Sequence, residues 1–366
     1  MCSMAKYEQT GVVDLLSRPP RHILTNETKA YYKGKVILVT GGGGSIGSAL
    51  CRVLADCDPD RLIVVDIGEN GAYMLQQELA WQGKHLTVEI ASVRDRDKLS
   101  SLFDRYRPQI VFHAAAHKHV PLMERCPDEA VKNNVMGTCN VADLCEAYGT
   151  EKCILISTDK AVHPTSVMGA TKRMCEWILQ SRRDSHTCFA AVRFGNVLDS
   201  NGSVIPLFRR QIETGGPITL TDKRITRYFM LIPEAVQLVM TAGAMSHNGE
   251  LFVLDMGEPV SILALAENLI RQYGLEPYRD IDIREVGLRP GEKLYEELFL
   301  SHSHVEQTAD PLLYRETEPT PSREAVAEKL RILQEAVATG EADTVRDALH
   351  KAVPEYQCAK GSMGLD

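Results

Sequence analysis

The densest chemistry in the chain lies between Ser157 and Lys172. Ser157-Thr158-Asp159-Lys160 sets hydroxyls, a carboxyl and an amine in consecutive positions, and a second amine, Lys172, follows twelve residues on. A carboxyl and an amine held together can divide the duties of acid and base, as a proton abstraction coupled to loss of a leaving group requires. Adjacent Asp and Lys are more often a solvated surface pair. Here the apolar run Cys153-Ile154-Leu155-Ile156 leads straight into them, and strand ends that open into the crevice of an α/β sheet are where reacting groups gather. A lysine acting as base needs a lowered pKa, through desolvation or a nearby cation. Lys172, or Lys118 folded into the crevice, is the expected cation.

These groups need elements to present them. Val36-Ile37-Leu38-Val39-Thr40 reads as a short buried parallel strand. Gly41-x-x-Gly44-x-x-Gly47 follows at once, then a helical pattern through Ala49, Leu50, Val53 and Leu54. Glycine lets the backbone approach a pyrophosphate, and the helix N-terminus offers free N–H groups and positive potential. The next strand, Leu62-Ile63-Val64-Val65, ends in Asp66, about 20 residues beyond the glycines, as expected of a ribose-binding carboxylate. That acid would repel a 2′-phosphate, so the expected cofactor is NAD rather than NADP.

Alternation continues with helices over about 72–82, 96–106 and 127–148, strands at 86–90, 110–114 and 152–157, helix 168–182 and strand 189–194. This rhythm predicts an α/β fold, a Rossmann-type doubly wound parallel sheet. After Asn196 it breaks into shorter mixed segments. Helix 233–244, strand 251–255 and helix 261–273 follow, then Gly287-Leu288-Arg289-Pro290-Gly291-Glu292-Lys293 as a loop opening a helix, and tail helices at about 323–337 and 342–351. The implied organisation is an N-terminal arm or linker over 1–34 and an NAD-binding domain over 35–198, to which about 228–256 returns. A smaller mixed α/β substrate-binding lobe spans 199–300, and a helical tail 301–366.

Bulk properties exclude other classes. The chain has 366 residues, 44% of them hydrophobic and 25% charged, as in soluble proteins with a substantial core. A net charge of −8 and a pI near 5.8 argue against a general nucleic-acid or anionic-membrane partner. No apolar run approaches the roughly 18 residues of a membrane span, and residues 1–30 lack the apolar core of a signal peptide, so a cytoplasmic location is expected. The ten cysteines include no C-x-x-C pair and read as buried free thiols. His113, His117 and His119 have no carboxylate or cysteine at ligand spacing, so no metal site is expected.

The glycine spacing, with Lys172 on the helix after the fifth strand, resembles the extended short-chain dehydrogenase/reductase superfamily. A narrower set of motifs is similar to the CapD-like nucleotide-sugar 4,6-dehydratases of polysaccharide biosynthesis. It comprises Ala114-Ala115-Ala116-His117-Lys118-His119-Val120-Pro121-Leu122-Met123-Glu124, Asn133-Asn134-Val135-Met136-Gly137-Thr138, Ser157-Thr158-Asp159-Lys160-Ala161-Val162, Arg193-Phe194-Gly195-Asn196-Val197-Leu198 and Arg289-Pro290-Gly291-Glu292-Lys293-Leu294. The resemblance runs from about Val12 to Tyr356. Asp14-Leu15-Leu16-Ser17-Arg18-Pro19-Pro20 resembles the connector before the catalytic domain of membrane-bound members, so a soluble form without membrane insertion is expected.

The resemblance implies conversion of UDP-N-acetylglucosamine to a 4-keto-6-deoxy sugar nucleotide through NAD, and a homo-oligomer. By it, Asp159 is the acid, Lys160 the C5 base, Thr158 the partner of the C4 oxygen and Lys172 that of the nicotinamide ribose. Most of the superfamily has tyrosine four positions before that lysine. Here it is Met168, which has no proton to exchange and resembles the branch that retains C5. The base for the C4 hydroxyl is left between a water relay and Asp159. The implied cofactor contacts are Gly41, Gly44, Ser45, Ile46, Gly47, Asp66, Ser92, Val93, Ala114, Ala115 and Lys172. The implied substrate contacts are Lys118, His119, Asn196, Arg227, Arg289 and Glu292, with Arg289 on the diphosphate and Glu292 on the uridine ribose. Three positions depart from the family pattern: Ser92 for aspartate, His163 for asparagine and Asp199 for glycine. A C5-inverting dehydratase, a nucleotide-sugar 4-epimerase and an NAD-sensing scaffold are the rival readings.

Overall fold

The β-branched runs of the N-terminal half build the centre of one nine-stranded sheet. The computed structural model describes Pro19, Arg21 and residues 24–357; most of the segment resembling a connector, 14–20, lies outside them. The first seven strands of the sheet are β1 (Val36–Thr40), β2 (Arg61–Asp66), β3 (Thr87–Ile90), β4 (Ile110–His113), β5 (Lys152–Ile156), β6 (Cys188–Arg193) and, after an intervening lobe, β11 (Glu250–Leu254). They are parallel neighbours in the order β3-β2-β1-β4-β5-β6-β11. Chain direction across the sheet reverses between β1 and β4, and a crevice for ligands opens at such a switch.

Alternation along each strand divides the core between two faces. Ile37, Val39, Val64, Phe112 and Ile154 face one apolar cluster. Leu38, Ile63, Val65, Val111, Cys153 and Leu155 face the other. Helices cover both faces, which is why these strands are apolar on both sides.

Four segments differ from the sequence reading. The arm 1–34 is not wholly irregular: α1 (Asn26–Tyr32) is capped by Thr25, whose side chain accepts from Thr28 N–H. It is anchored by buried Tyr32, whose hydroxyl donates to the Met240 carbonyl at 2.6 Å. The helical stretch 127–148 is broken by a π-helical segment, Val131–Met136. No helix opens at the 287–293 loop. The carbonyls of Lys293 and Leu294 instead accept from the Arg227 guanidinium at 2.7 and 3.1 Å, so a helical ladder cannot use them.

Finally, the tail is not purely helical. β14 (Val305–Gln307) and β15 (Leu313–Glu316) join the main sheet antiparallel beyond β11. They are short and only partly buried, so they leave little hydrophobic signal. The tail helices Arg323–Thr339 and Ala342–Ala352 pack onto the second face through Val326, Leu333, Val345 and Leu349.

The lobe is built from three two-stranded pairs. β7 (Asn196–Val197) pairs with β10 (Phe229–Met230), β9 (Thr226–Arg227) with β12 (Val260–Ser261), and β8 (Ile218–Leu220) with β13 (Ile283–Glu285). Its apolar residues, Ile205, Phe208, Ile218, Ile225 and Ile283, continue the first cluster, so lobe and sheet share a core. After helix Ile232–Met245, β11 pairs with β6 in the main sheet. Among the described residues no helix is long and apolar enough to cross a membrane.

Candidate active site

A crevice of about 640 Å³ opens between the C-terminal strand ends and the lobe. At one end lies the glycine turn. Gly41 has φ +68°, and a Cβ there would lie 2.6 Å from Ala115 N; a Cβ on Gly47 would lie 2.1 Å from the Gly41 carbonyl oxygen. Only glycine allows this packing of turn against helix. Gly44 is the N-cap of helix Ser45–Ala55, whose first N–H groups can receive a phosphate. Asp66, at the end of β2, accepts from Gly43 N–H at 2.8 Å and from Gly68 N–H at 2.7 Å. The turn and this carboxylate therefore form one rigid unit that fits the pyrophosphate and adjacent ribose of a dinucleotide.

The other expected cofactor contacts divide. Ser45, Ile46 and Ala114 line the crevice; Asp66, Ser92, Val93 and Ala115 do not. Ser92 turns its hydroxyl to Arg94 N–H, 3.2 Å away. Val93 is buried and its carbonyl accepts from the Asn140 side chain at 3.0 Å.

At the end of β5 the chain makes one turn of 3₁₀-helix, Asp159–Ala161, which brings Thr158, Asp159 and Lys160 together. Asp159 is completely buried. Its Oδ1 accepts from Thr158 Oγ1 at 2.9 Å and from Lys160 Nζ at 3.0 Å, while Oδ2 has no hydrogen-bond partner. Lys160 Nζ also donates to Asn196 Oδ1 at 3.2 Å and lies 3.3 Å from Glu296 Oε1. Lys172 Nζ donates to the Ile156 carbonyl at 2.7 Å and faces the crevice. Met168 lines the same wall, 3% exposed and part of the second core cluster.

Electrostatics correct the expectation of a lowered Lys160 pKa. Burial pulls it down, but the Asp159 and Glu296 carboxylates together outweigh burial and hold it above the ordinary lysine value. The cation acting on it is Arg227, whose Nε approaches the same Glu296 oxygen at 3.5 Å. Lys118 spends its ammonium on the Asn201 carbonyl at 2.9 Å. Burial lowers the pKa of both Lys118 and Lys172. Asp159 is raised by burial and by Glu296, against the pull of Lys160. Glu296 is lowered despite its burial, because Lys160, Arg227 and Lys293 surround it.

The expected substrate residues Lys118, His119, Asn196, Arg227, Arg289 and Glu292 all reach the crevice. Arg227 is buried, and its guanidinium mostly holds backbone carbonyls of its own strand and of the 293–294 loop. Glu292 accepts from Thr221 Oγ1 at 3.0 Å. Arg289 remains exposed at the rim.

Sequence reasoning missed two residues. Glu296 lies just past a motif read as helix-opening, so it carried no strand-end or loop signal. Asn134 sits in the π-helical segment, where it brackets the His117 backbone, accepting from its N–H at 2.8 Å and donating to its carbonyl at 3.1 Å. The paired Asn133-Asn134 inside an apolar helix pattern was the available signal. At two of the departures, His163 (φ +36°) and Asp199 (φ +60°), the backbone lies where asparagine and glycine are the least strained residues, which accounts for the family pattern and not for the residues present here.

A parallel sheet of this order, a glycine cradle and a crevice at the switch define a short-chain dehydrogenase/reductase-type Rossmann fold. A solved structure described as Pen from Bacillus thuringiensis has the same fold, with a TM-score of 0.73 and 34% identity over 80% of this chain and 90% of its own. The family described as polysaccharide biosynthesis protein matches residues 37–318, and the chain belongs to that family. It is 53% identical over 299 residues to the probable polysaccharide biosynthesis protein EpsC of Bacillus subtilis, covering 80% of this chain and 50% of that one. To the capsular polysaccharide biosynthesis protein CapD of Staphylococcus aureus it is 50% identical over 84% of its own length and 52% of the relative's. The chain thus spans about half the length of these relatives. A UDP-N-acetylglucosamine 4,6-dehydratase (inverting) of Campylobacter jejuni is 34% identical over 75% of this chain and 80% of its own.

Proposed function

We propose that this protein is a nucleotide-sugar 4,6-dehydratase that uses NAD, takes UDP-N-acetylglucosamine and yields the UDP-4-keto-6-deoxy-N-acetylhexosamine with C5 retained. The observation that carries this reading is the Asp159–Lys160 pair, 3.0 Å apart beside a dinucleotide cradle. A 4-epimerase moves hydride at one carbon and has no use for an acid–base pair that expels water.

A nicotinamide dinucleotide held by the glycine turn, Asp66 and Lys172 would supply hydride acceptance at C4 and hydride return at C6. The chain's own groups move the protons. Thr158 Oγ1 connects the sugar's C4 hydroxyl to Asp159 Oδ1, so Asp159 takes that proton and becomes a carboxylic acid. Neutral Lys160 removes the C5 proton, made acidic by the adjacent ketone, while Asp159 protonates the departing C6 hydroxyl. Lys160 then returns a proton to C5 from the face it deprotonated, which gives retention. The proton lost at C4 leaves in the water, and both side chains regain their starting forms. Met168 packs the wall and holds no proton, and this cycle asks none of it.

The test is incubation with UDP-N-acetylglucosamine in heavy water, read by NMR and mass spectrometry. A 4-keto-6-deoxy product with retained C5 and deuterium at C5 is expected. UDP-N-acetylgalactosamine would mean an epimerase, and inverted C5 would remove the retention. Lys160→Ala is expected to bind NAD and substrate yet lose about 10²–10⁴-fold in turnover, the usual scale of general base catalysis.

A further inference from the structure

Lys160 stands in the wall between two cavities. One is the crevice described above. Adjoining it along Lys160, Arg227, Arg289 and Glu292 lies a second, of about 150 Å³, bordered also by Val120, Thr165, Lys293 and Glu296. A space of that size, with the charged groups of Lys160, Arg227, Lys293 and Glu296 on its border, has room for several water molecules. Glu296 reaches Lys160 from this side, with Oε1 at 3.3 Å from Nζ and a side chain only 2% exposed. Its other oxygen, Oε2, is buried without a hydrogen-bond partner in the protein. A buried carboxylate oxygen with no donor is costly unless water serves it. Asp159 already gives the Lys160 ammonium a carboxylate at 3.0 Å, and Glu296 adds a second through an oxygen it shares with Arg227 Nε at 3.5 Å, leaving Oε2 to face no protein donor.

We propose that Glu296 is a proton-relay residue for Lys160, carrying protons between its amine and water in the second cavity while the sugar fills the crevice. This rests on the reading of Lys160 as the C5 base. After C5 deprotonation the ammonium passes one of its hydrogens to Glu296 Oε1 and becomes an amine again. A half-turn of the carboxyl group presents that proton to cavity water. The reverse path brings a solvent proton to Lys160 and from there to C5. Only N–H, O–H and C–H bonds form and break, and nothing is oxidised or reduced.

The test uses UDP-N-acetylglucosamine deuterated at C5, in ordinary water. Wild-type protein is expected to give product that has lost its C5 deuterium. Glu296→Gln cannot carry the proton, so Lys160 returns hydrogen from its own ammonium and a clear fraction of product keeps deuterium; Glu296→Asp restores the loss. A purely structural Glu296 would change the rate but not the label, so complete loss of deuterium by Glu296→Gln, or its retention by wild type, overturns the relay. If Glu296→Gln turns over too slowly to read, washout of C5 deuterium from finished keto product is measured instead. Washout slower than wild type is expected, and an equal rate overturns the proposal. Absence of any 4-keto-6-deoxy product from wild type would overturn the dehydratase reading itself, and the relay with it.

Discussion

At the scale of single residues, Lys160 is held protonated by two carboxylates, whereas its duty in the cycle needs the neutral amine. The cycle therefore starts from the pair with its proton released, Asp159 a carboxylate ready for the C4 proton and Lys160 a neutral amine. Once it holds that proton, Asp159, whose pKa is raised by burial and by Glu296, is a carboxylic acid 3.0 Å from the amine, and the two act as acid and base. Met168 is the complementary case. It sits where much of the superfamily carries a reactive tyrosine, yet it is 3% exposed and packed in the core. Met168→Leu is expected to change kcat by less than about tenfold, since leucine keeps the packing volume and neither side chain exchanges a proton. Loss of turnover comparable to that of Lys160→Ala would show that the methionine takes part in the chemistry.

At the scale of elements, strand ends are tied together beneath the crevice by polar groups with no solvent access. His113, at the end of β4, is 1% exposed. One ring nitrogen bonds Thr40 Oγ1 of β1 at 2.7 Å, the other Thr138 Oγ1 of helix Gly137–Ala147 at 3.0 Å. Burial, with the Lys172 charge adding to it, lowers its pKa from 6.5 to about 3. Below pH 6.5 the unfolded chain binds a proton that the folded chain refuses, so stability falls as pH drops from 6.5 toward 3. The slope from this one group reaches about 1.4 kcal/mol per pH unit. Urea unfolding at several pH values would measure it, and His113→Gln is expected to flatten the dependence in this window. The position of the Ser157-to-Lys160 segment at a strand end was legible because a strand pattern ran into it. The ties through His113 and Asn134 were not, because hydrogen bonds between strands distant in sequence leave no periodicity.

At the scale of the whole molecule, the tail completes the sheet rather than trailing from it. Arg193, at the end of β6, is fully buried and pairs with Glu176 at 2.8 Å and with Glu316 of β15. Glu176 in turn accepts from Ser157 Oγ at 2.6 Å. A strand contributed from the tail thus neutralises a charge directly beneath the reacting loop. Removing one partner of a buried ion pair costs about 3–5 kcal/mol. A chain ending at residue 300 also loses the apolar cover of helices Arg323–Thr339 and Ala342–Ala352. It is expected to show no cooperative unfolding transition by circular dichroism. A truncated chain that folds and binds NAD would contradict this account of the tail.

Local pattern determined much of this in the sequence itself: the strand–glycine–helix turn, Asp66 at the next strand end, the α/β alternation and the placing of Ser157–Lys160 at the end of a strand. Each depends on neighbours within a few positions, or on a spacing that a single βα unit fixes. The tertiary structure decided what depends on chain segments far apart. It brought Glu296 to Lys160 across 136 positions, reversing the expected direction of the lysine's pKa, and it drew two short tail strands into the sheet. Charge interactions act through space, and no periodicity in the chain records which carboxylate will face which amine.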